Sequence, residues 1–177
     1  DFKGSSVEAD NNPNSLDSKT RVTYSEFLKL PLGLNGFFDF EEAKAYAQQV
    51  GKPLFIDFTG HGCVNCRKME EYVWSDPAVL DILKNDYVIV ALYCDDKTEL
   101  PKNKWYVSKV DGQDKKTLGD QNLDFQILRF NSNAQPHYVL LDPRKDGAPM
   151  VKPVAFEADI NQIIKFIKNG VEIFKKN

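Results

Sequence analysis

Pro53-Leu54-Phe55-Ile56-Asp57-Phe58-Thr59-Gly60-His61-Gly62-Cys63-Val64-Asn65-Cys66 decides how this chain is read. Its opening is an apolar run of strand length interrupted only by Asp57, and a helix-like stretch begins at the cysteines. A cysteine at a helix N-terminus has its thiolate stabilised by unpaired backbone N–H groups and the helix dipole. A second cysteine three residues later sits one turn above the first. The pair can therefore cycle between dithiol and disulfide.

Other uses of a C-x-x-C pair have to be weighed against this one. Covalent haem attachment needs a histidine directly after the second cysteine, and Arg67 stands there. Structural zinc usually takes two spaced ligand pairs, whereas the chain offers one further cysteine, Cys94, and two histidines, His61 and His137. An inert disulfide closing so short a loop removes little chain entropy. Redox chemistry is the favoured reading, with no cofactor or metal required because the sulfurs are themselves the redox centre. The rival is a non-catalytic binding module in which the pair holds a metal ion or closes a turn.

With 177 residues the chain is long enough for one domain with a full core. Its 23 basic and 26 acidic residues supply no positive field for nucleic acid, and there is no long basic cluster for a membrane surface. Proteins are the expected partners, met by a monomer. No run reaches transmembrane length and no signal peptide is evident. A start at Asp1 rather than methionine leads us to expect a trimmed or processed chain.

Residues 1–20, rich in Ser, Asn and Asp, read as a flexible tether, and residues 21–38 as an arm on a domain spanning 21–177. Asp39 with Glu42 resembles a capping box, and Phe40, Ala43, Ala47 and Val50 form a helical stripe ended by Gly51. Ser75-Asp76-Pro77 stops one helix and starts another. Tyr87 to Tyr93 is a continuous apolar run suited to a strand buried on both faces, so the two strands and intervening helix make a βαβ unit. Residues 95–118 read as a polar, lysine-rich insertion with a small hairpin near Trp105 to Val110. Leu123, Ile127 and Phe130 mark a helix, His137 to Leu141 a strand, and Met150 to Phe156 an edge strand because of Pro149 and Pro153. The spacing from Ile160 to Phe174 predicts an amphipathic final helix that Gly170 threatens to interrupt.

This order of elements, with its C-x-x-C beside a βαβ unit, resembles the thioredoxin-like family: an α/β fold with a central mixed β-sheet flanked by helices. The stretch from Asp57 through Cys63-Val64-Asn65-Cys66-Arg67-Lys68-Met69-Glu70, followed by Val73-Trp74-Ser75-Asp76-Pro77, most resembles the C-terminal periplasmic domain of DsbD-type thiol:disulfide interchange proteins, which are also cytochrome c biogenesis related. The resemblance implies a periplasmic oxidoreductase. It would take electrons from a membrane-embedded donor domain and exchange or reduce disulfides of exported proteins. Two features depart from the pattern: Gly62 replaces the aromatic residue common before the first cysteine, and the insertion is long.

On the family pattern Cys63 is the nucleophile and Cys66 resolves the mixed disulfide. Asp57 occupies the position where thioredoxins bury an acid. It reads either as a base for the Cys66 proton or as an ordinary strand-end carboxylate, and the cost of a charge inside an apolar strand favours the former. Glu70, four residues after Cys66, falls on the same helical face and reads either as a neighbour of the sulfurs or as a solvated surface residue. Together Asp57 and Glu70 would oppose thiolate formation and make Cys63 a slow, selective nucleophile, and the inner pair Val64-Asn65, which carries no cation to stabilise a thiolate, predicts a reducing couple. Pro136 stands where the family places a cis proline facing the site, which would let the backbone of Gln135 pair with an extended substrate. His61 reads as a loop histidine or a tuner of Cys63, and Cys94 as a small apolar residue.

Overall fold

Burial on both faces is what the apolar run after Pro53 is suited to, and β1 (Leu54–Thr59) is buried along its whole length in the computed structural model, which describes Leu16 and residues 20–177. It lies between β2 (Val88–Tyr93), parallel with Leu54 opposite Val88 and Thr59 opposite Tyr93, and β5 (His137–Leu141), antiparallel with Phe58 opposite His137. Apart from Leu16 and Thr20, the tether expected over residues 1–20 lies outside the described residues.

Both outer edges of this three-stranded sheet are covered. Within the arm, Phe37 bridges β2 at Val90, its N–H donating to Ile89 O at 2.8 Å and its carbonyl accepting from Ala91 N at 2.9 Å. Thr23 ties the arm to helix α1 (Phe40–Val50) by donating from N and Oγ1 to the Glu42 carboxylate at 2.9 and 2.7 Å. On the far side Val154 makes a single antiparallel bridge to Tyr138. The edge strand expected over Met150 to Phe156 is therefore shortened to one bridge. Pro149 and Pro153 have no N–H to continue a ladder, so the backbone contributes only Met150 N to Leu140 O and the pair at Val154.

Alternation along β1 sorts the core into two layers. Leu54, Ile56 and Phe58 face α1 and α4 (Leu118–Phe130), packing with Phe40, Ala43, Ala47 and Phe125. Phe55 points the other way, against Met69, Val73, Trp74 and the final helix α5 (Ile160–Lys176). Its ring lies 5.2 Å from Tyr138 and edge-on to Trp74 at 5.7 Å, contacts that add about 0.5–1.5 kcal/mol each beyond simple burial. Helix starts follow the sequence signals: Asp39 accepts from Glu42 N for α1, and Asp76 accepts from Ala78 N and Val79 N ahead of Pro77 in α3 (Pro77–Asp86). The insertion carries a two-stranded hairpin, β3 (Tyr106–Val107) against β4 (Asp114–Lys115), docked onto α4 where Tyr106 Oη and Ser108 Oγ both donate to Asp124.

Gly170 does not break α5, which runs unbroken through it. A Cβ there would run into Tyr87 Oη and lie 2.6 Å from Leu140 Cδ1. In an open helix glycine costs about 0.5–1 kcal/mol relative to alanine, but overpacking a filled core costs about 1–3 kcal/mol. Gly170→Ala is thus expected to destabilise the domain by about 1–2 kcal/mol in urea unfolding; a stabilised variant would show that this contact is not tight.

Candidate active site

The helix that follows β1, α2 (Val64–Met69), is capped by Cys63, whose extended backbone (φ −85°, ψ 100°) lets Sγ accept from Cys66 N at 3.1 Å. The Cys63 and Cys66 sulfurs are bonded at 2.11 Å with Cα atoms 5.2 Å apart. The two differ in access: Cys63 is half-buried, while Cys66 is 2% exposed. One sulfur faces outward and its partner lies inside the first turn.

Beneath them lie two carboxyl groups. Alternation turns Asp57 to the face of β1 that α2 covers, where it is 3% exposed. Burial pushes its carboxyl well above the usual carboxylate range, the nearby Glu70 charge adds to the effect, and Arg67 opposes it. Glu70 N donates to Cys66 O, so the one-turn spacing from Cys66 holds, and the side chain is buried rather than solvated. Burial raises the Glu70 carboxyl too, against the pull of Arg67, whose Nε lies 2.9 Å from Glu70 Oε2. Arg67 also donates from Nη2 to Thr59 Oγ1 at 2.9 Å. A single half-exposed guanidinium thus faces two buried acids. From Glu70 to Trp74 the helix widens into one π-helical turn, which the helical spacing of this segment does not announce.

The loop leading to Cys63 is held from the end of β2. Asp95 accepts from His61 N at 2.7 Å and from Gly62 N at 2.9 Å. His61 Nε2 lies 2.7 Å from Asp96 Oδ2, and its ring stacks on Tyr93 at 4.4 Å between centroids. Burial works against the Asp96 charge, yet hydrogen bonds from Thr98 and His61 hold its carboxyl below the ordinary range. Neither aspartate stands out in the sequence as a site residue. The available signal is position, since both lie within three residues of the end of a buried parallel strand, at the end of the sheet where α/β sites gather.

Across from this loop the Gln135–Pro136 peptide bond is cis. Between the two walls runs a groove of about 260 Å³ reaching Gly60, Gly62, Cys63, Leu123 and Gln135. Cys94 also lines it and is only partly buried, not the plain core residue its sequence context suggests. Burial pushes its thiol up to about 12, so it stays protonated, with Sγ 3.6 Å from Leu92 O. The structure thus gathers Cys63, Cys66, Asp57, Glu70, Gln135 and Pro136 at one end of the sheet.

A family model described as thioredoxin-like matches residues 35–143, and the chain belongs to that family. Among individual proteins it is similar to the thiol:disulfide interchange protein DsbD of Salmonella typhi, 40% identical over 48 residues, which are 27% of this chain and 8% of that protein. It is also similar to DsbD of Vibrio vulnificus (strain CMCP6), 30% identical over 73 residues, 41% of this chain and 12% of that one. The matched stretches thus cover about a tenth of these curated relatives. Two solved structures share the fold. A thioredoxin from Thermus thermophilus is 22% identical with a TM-score of 0.52, over 75% of this chain and 84% of its own. A DsbH oxidoreductase is 16% identical with a TM-score of 0.56, over 82% and 91%.

Because the fold raises the Asp57 pKa, it favours the neutral acid. That stability is complete below the ordinary carboxyl value of 3.8 and is lost as pH rises through the elevated folded value. Asp57→Asn, neutral throughout, is expected to melt above the wild type at about pH 8, by about 2–4 °C for each kcal/mol of relieved charge burial. The gain should vanish near about pH 3. Thermal unfolding of the oxidised proteins at both pH values checks this; a lower melting temperature at the alkaline end would contradict the assignment.

Proposed function

We propose that this chain is a thiol:disulfide oxidoreductase working as a reductase of disulfides in exported proteins, in the periplasm, recharged by a membrane-embedded dithiol donor. The observation that carries the reading is the unequal access of two bonded sulfurs, Cys63 half-buried at the helix cap and Cys66 enclosed. The relatives named for thiol:disulfide interchange support the exchange chemistry, and the periplasmic location, the exported substrates, the membrane donor and a link to cytochrome c biogenesis are our extension of that reading from the sequence resemblance around Cys63 and Cys66.

In the reduced chain the Cys63 thiolate attacks one sulfur of a substrate disulfide. A Cys63–substrate bond forms, the substrate S–S bond breaks, and the departing sulfur leaves as a thiolate that is protonated by water. Cys66 then transfers its proton to the Asp57 carboxylate, whose basicity burial has raised, and attacks Cys63 Sγ. The Cys63–Cys66 bond forms and the second substrate sulfur is released as a thiolate, so two electrons have passed to the substrate. A donor dithiol reverses the sequence on this chain. Glu70 adds a second negative charge near the pair, which disfavours the thiolate and keeps Cys63 selective, while the Gln135 backbone pairs with the substrate beside the nucleophile.

Insulin reduction with dithiothreitol as donor tests this. Catalysed turnover is expected, lost in Cys63→Ala. Zinc bound stoichiometrically without turnover would replace the enzyme with a binding module.

A further inference from the structure

Gln126, on α4 between Phe125 and Ile127, is completely buried at 0% exposure, although its side chain is an amide. Such a group is costly to bury unless its donors and acceptor are met. Nε2 donates to Ala134 O at 2.7 Å and lies 3.1 Å from His137 Nδ1, while Oε1 accepts from Gln135 Nε2 at 2.9 Å. All three partners belong to the segment that carries the cis Gln135–Pro136 bond. A fourth contact joins Oε1 to Cys94 Sγ at 3.7 Å, and Cys94 and Gln135 both line the groove beside Cys63.

The orientation of this amide follows from its neighbours. Ala134 O accepts hydrogen bonds and never donates, so the atom facing it is the NH2 group. The same nitrogen then donates to His137 Nδ1, which must be an acceptor, leaving the ring proton on Nε2. Burial lowers the His137 pKa and so agrees with a neutral ring.

We propose that Gln126 is the positioning residue for the substrate-pairing edge of the groove: its buried amide holds residues 134–137 in register so that the Gln135 backbone meets an extended segment of a protein disulfide. The inference rests on the reductase reading above and adds what controls substrate docking. Gln126 touches neither of the reacting sulfurs, so its loss acts on binding of a substrate that has a backbone. A small disulfide without one is indifferent to it.

The test compares the full chain with Gln126→Leu and Gln126→Glu, using insulin and hydroxyethyl disulfide as substrates and dithiothreitol as donor. The glutamate variant keeps an acceptor for Gln135 and gives up the donors to Ala134 and His137. Gln126→Leu is expected to raise KM for insulin about tenfold, with kcat and the rate on hydroxyethyl disulfide within about twofold of wild type, and Gln126→Glu to fall between. An unchanged KM, or a parallel loss on both substrates, overturns the proposal. Should the leucine variant fail to fold, nitrogen NMR of wild-type His137 decides: a proton on Nε2 supports the network and a proton on Nδ1 overturns it. A wild type that reduces neither substrate counts against the reductase reading instead.

Discussion

A strand buried on both faces gives a charged carboxylate no water, and β1 places Asp57 in that situation directly under the helix that carries the cysteines. The other features of the site follow from this constraint. Glu70 adds a second buried acid and Arg67 supplies the facing cation, its guanidinium shared between Glu70 and Thr59. Negative charge beneath the pair works against the thiolate, while the helix cap at Cys63 works for it. An acid whose neutral form the fold prefers is well matched to a thiol proton, and on the proposed function this gives the cost of burying Asp57 a chemical use.

The groove above the sulfurs is built from two loops, each fixed by side chains from elsewhere. Asp95 and Asp96, at the end of β2, fasten the His61-Gly62 approach to Cys63. Gln126, from α4, fastens the cis-proline loop. Neither loop depends on its own hydrogen bonds alone, so Cys63 and the Gln135–Pro136 edge are held against one sheet. With Gly62 at the position before Cys63, the groove reaches Cys63 with no side chain from that position in the way.

Much of this was legible in the residues themselves. The apolar runs of β1 and β2, the Asp39 and Asp76 caps and the stripe of α5 each rest on local periodicity or capping chemistry, which a chain displays without its tertiary partners. Asp57 was visible because a charge inside an apolar strand is conspicuous. Pro136 was visible only by resemblance, since an isolated X–Pro bond is expected to be trans. The roles of Asp95 and Gln126 were hidden, because an aspartate or glutamine in a polar or helical stretch gains meaning only from partners brought in by the fold. The π-helical turn at Glu70–Trp74 was hidden for a different reason: its residues satisfy a helical pattern, and the widened turn depends on packing. The shortened edge strand runs the other way: Pro149 and Pro153 have no N–H to donate, so the ladder that the β-forming residues around them predict is reduced to the Val154 bridge.

On the proposed function, the acids buried near a reachable Cys63 make this pair an electron donor rather than an oxidant. Equilibration of the wild-type chain with glutathione redox buffers, read by trapping Cys63 and Cys66 in their thiol and disulfide states, measures that directly. A potential close to the about −270 mV of thioredoxin is predicted, and one close to the about −120 mV of a dedicated disulfide-forming oxidant would contradict it.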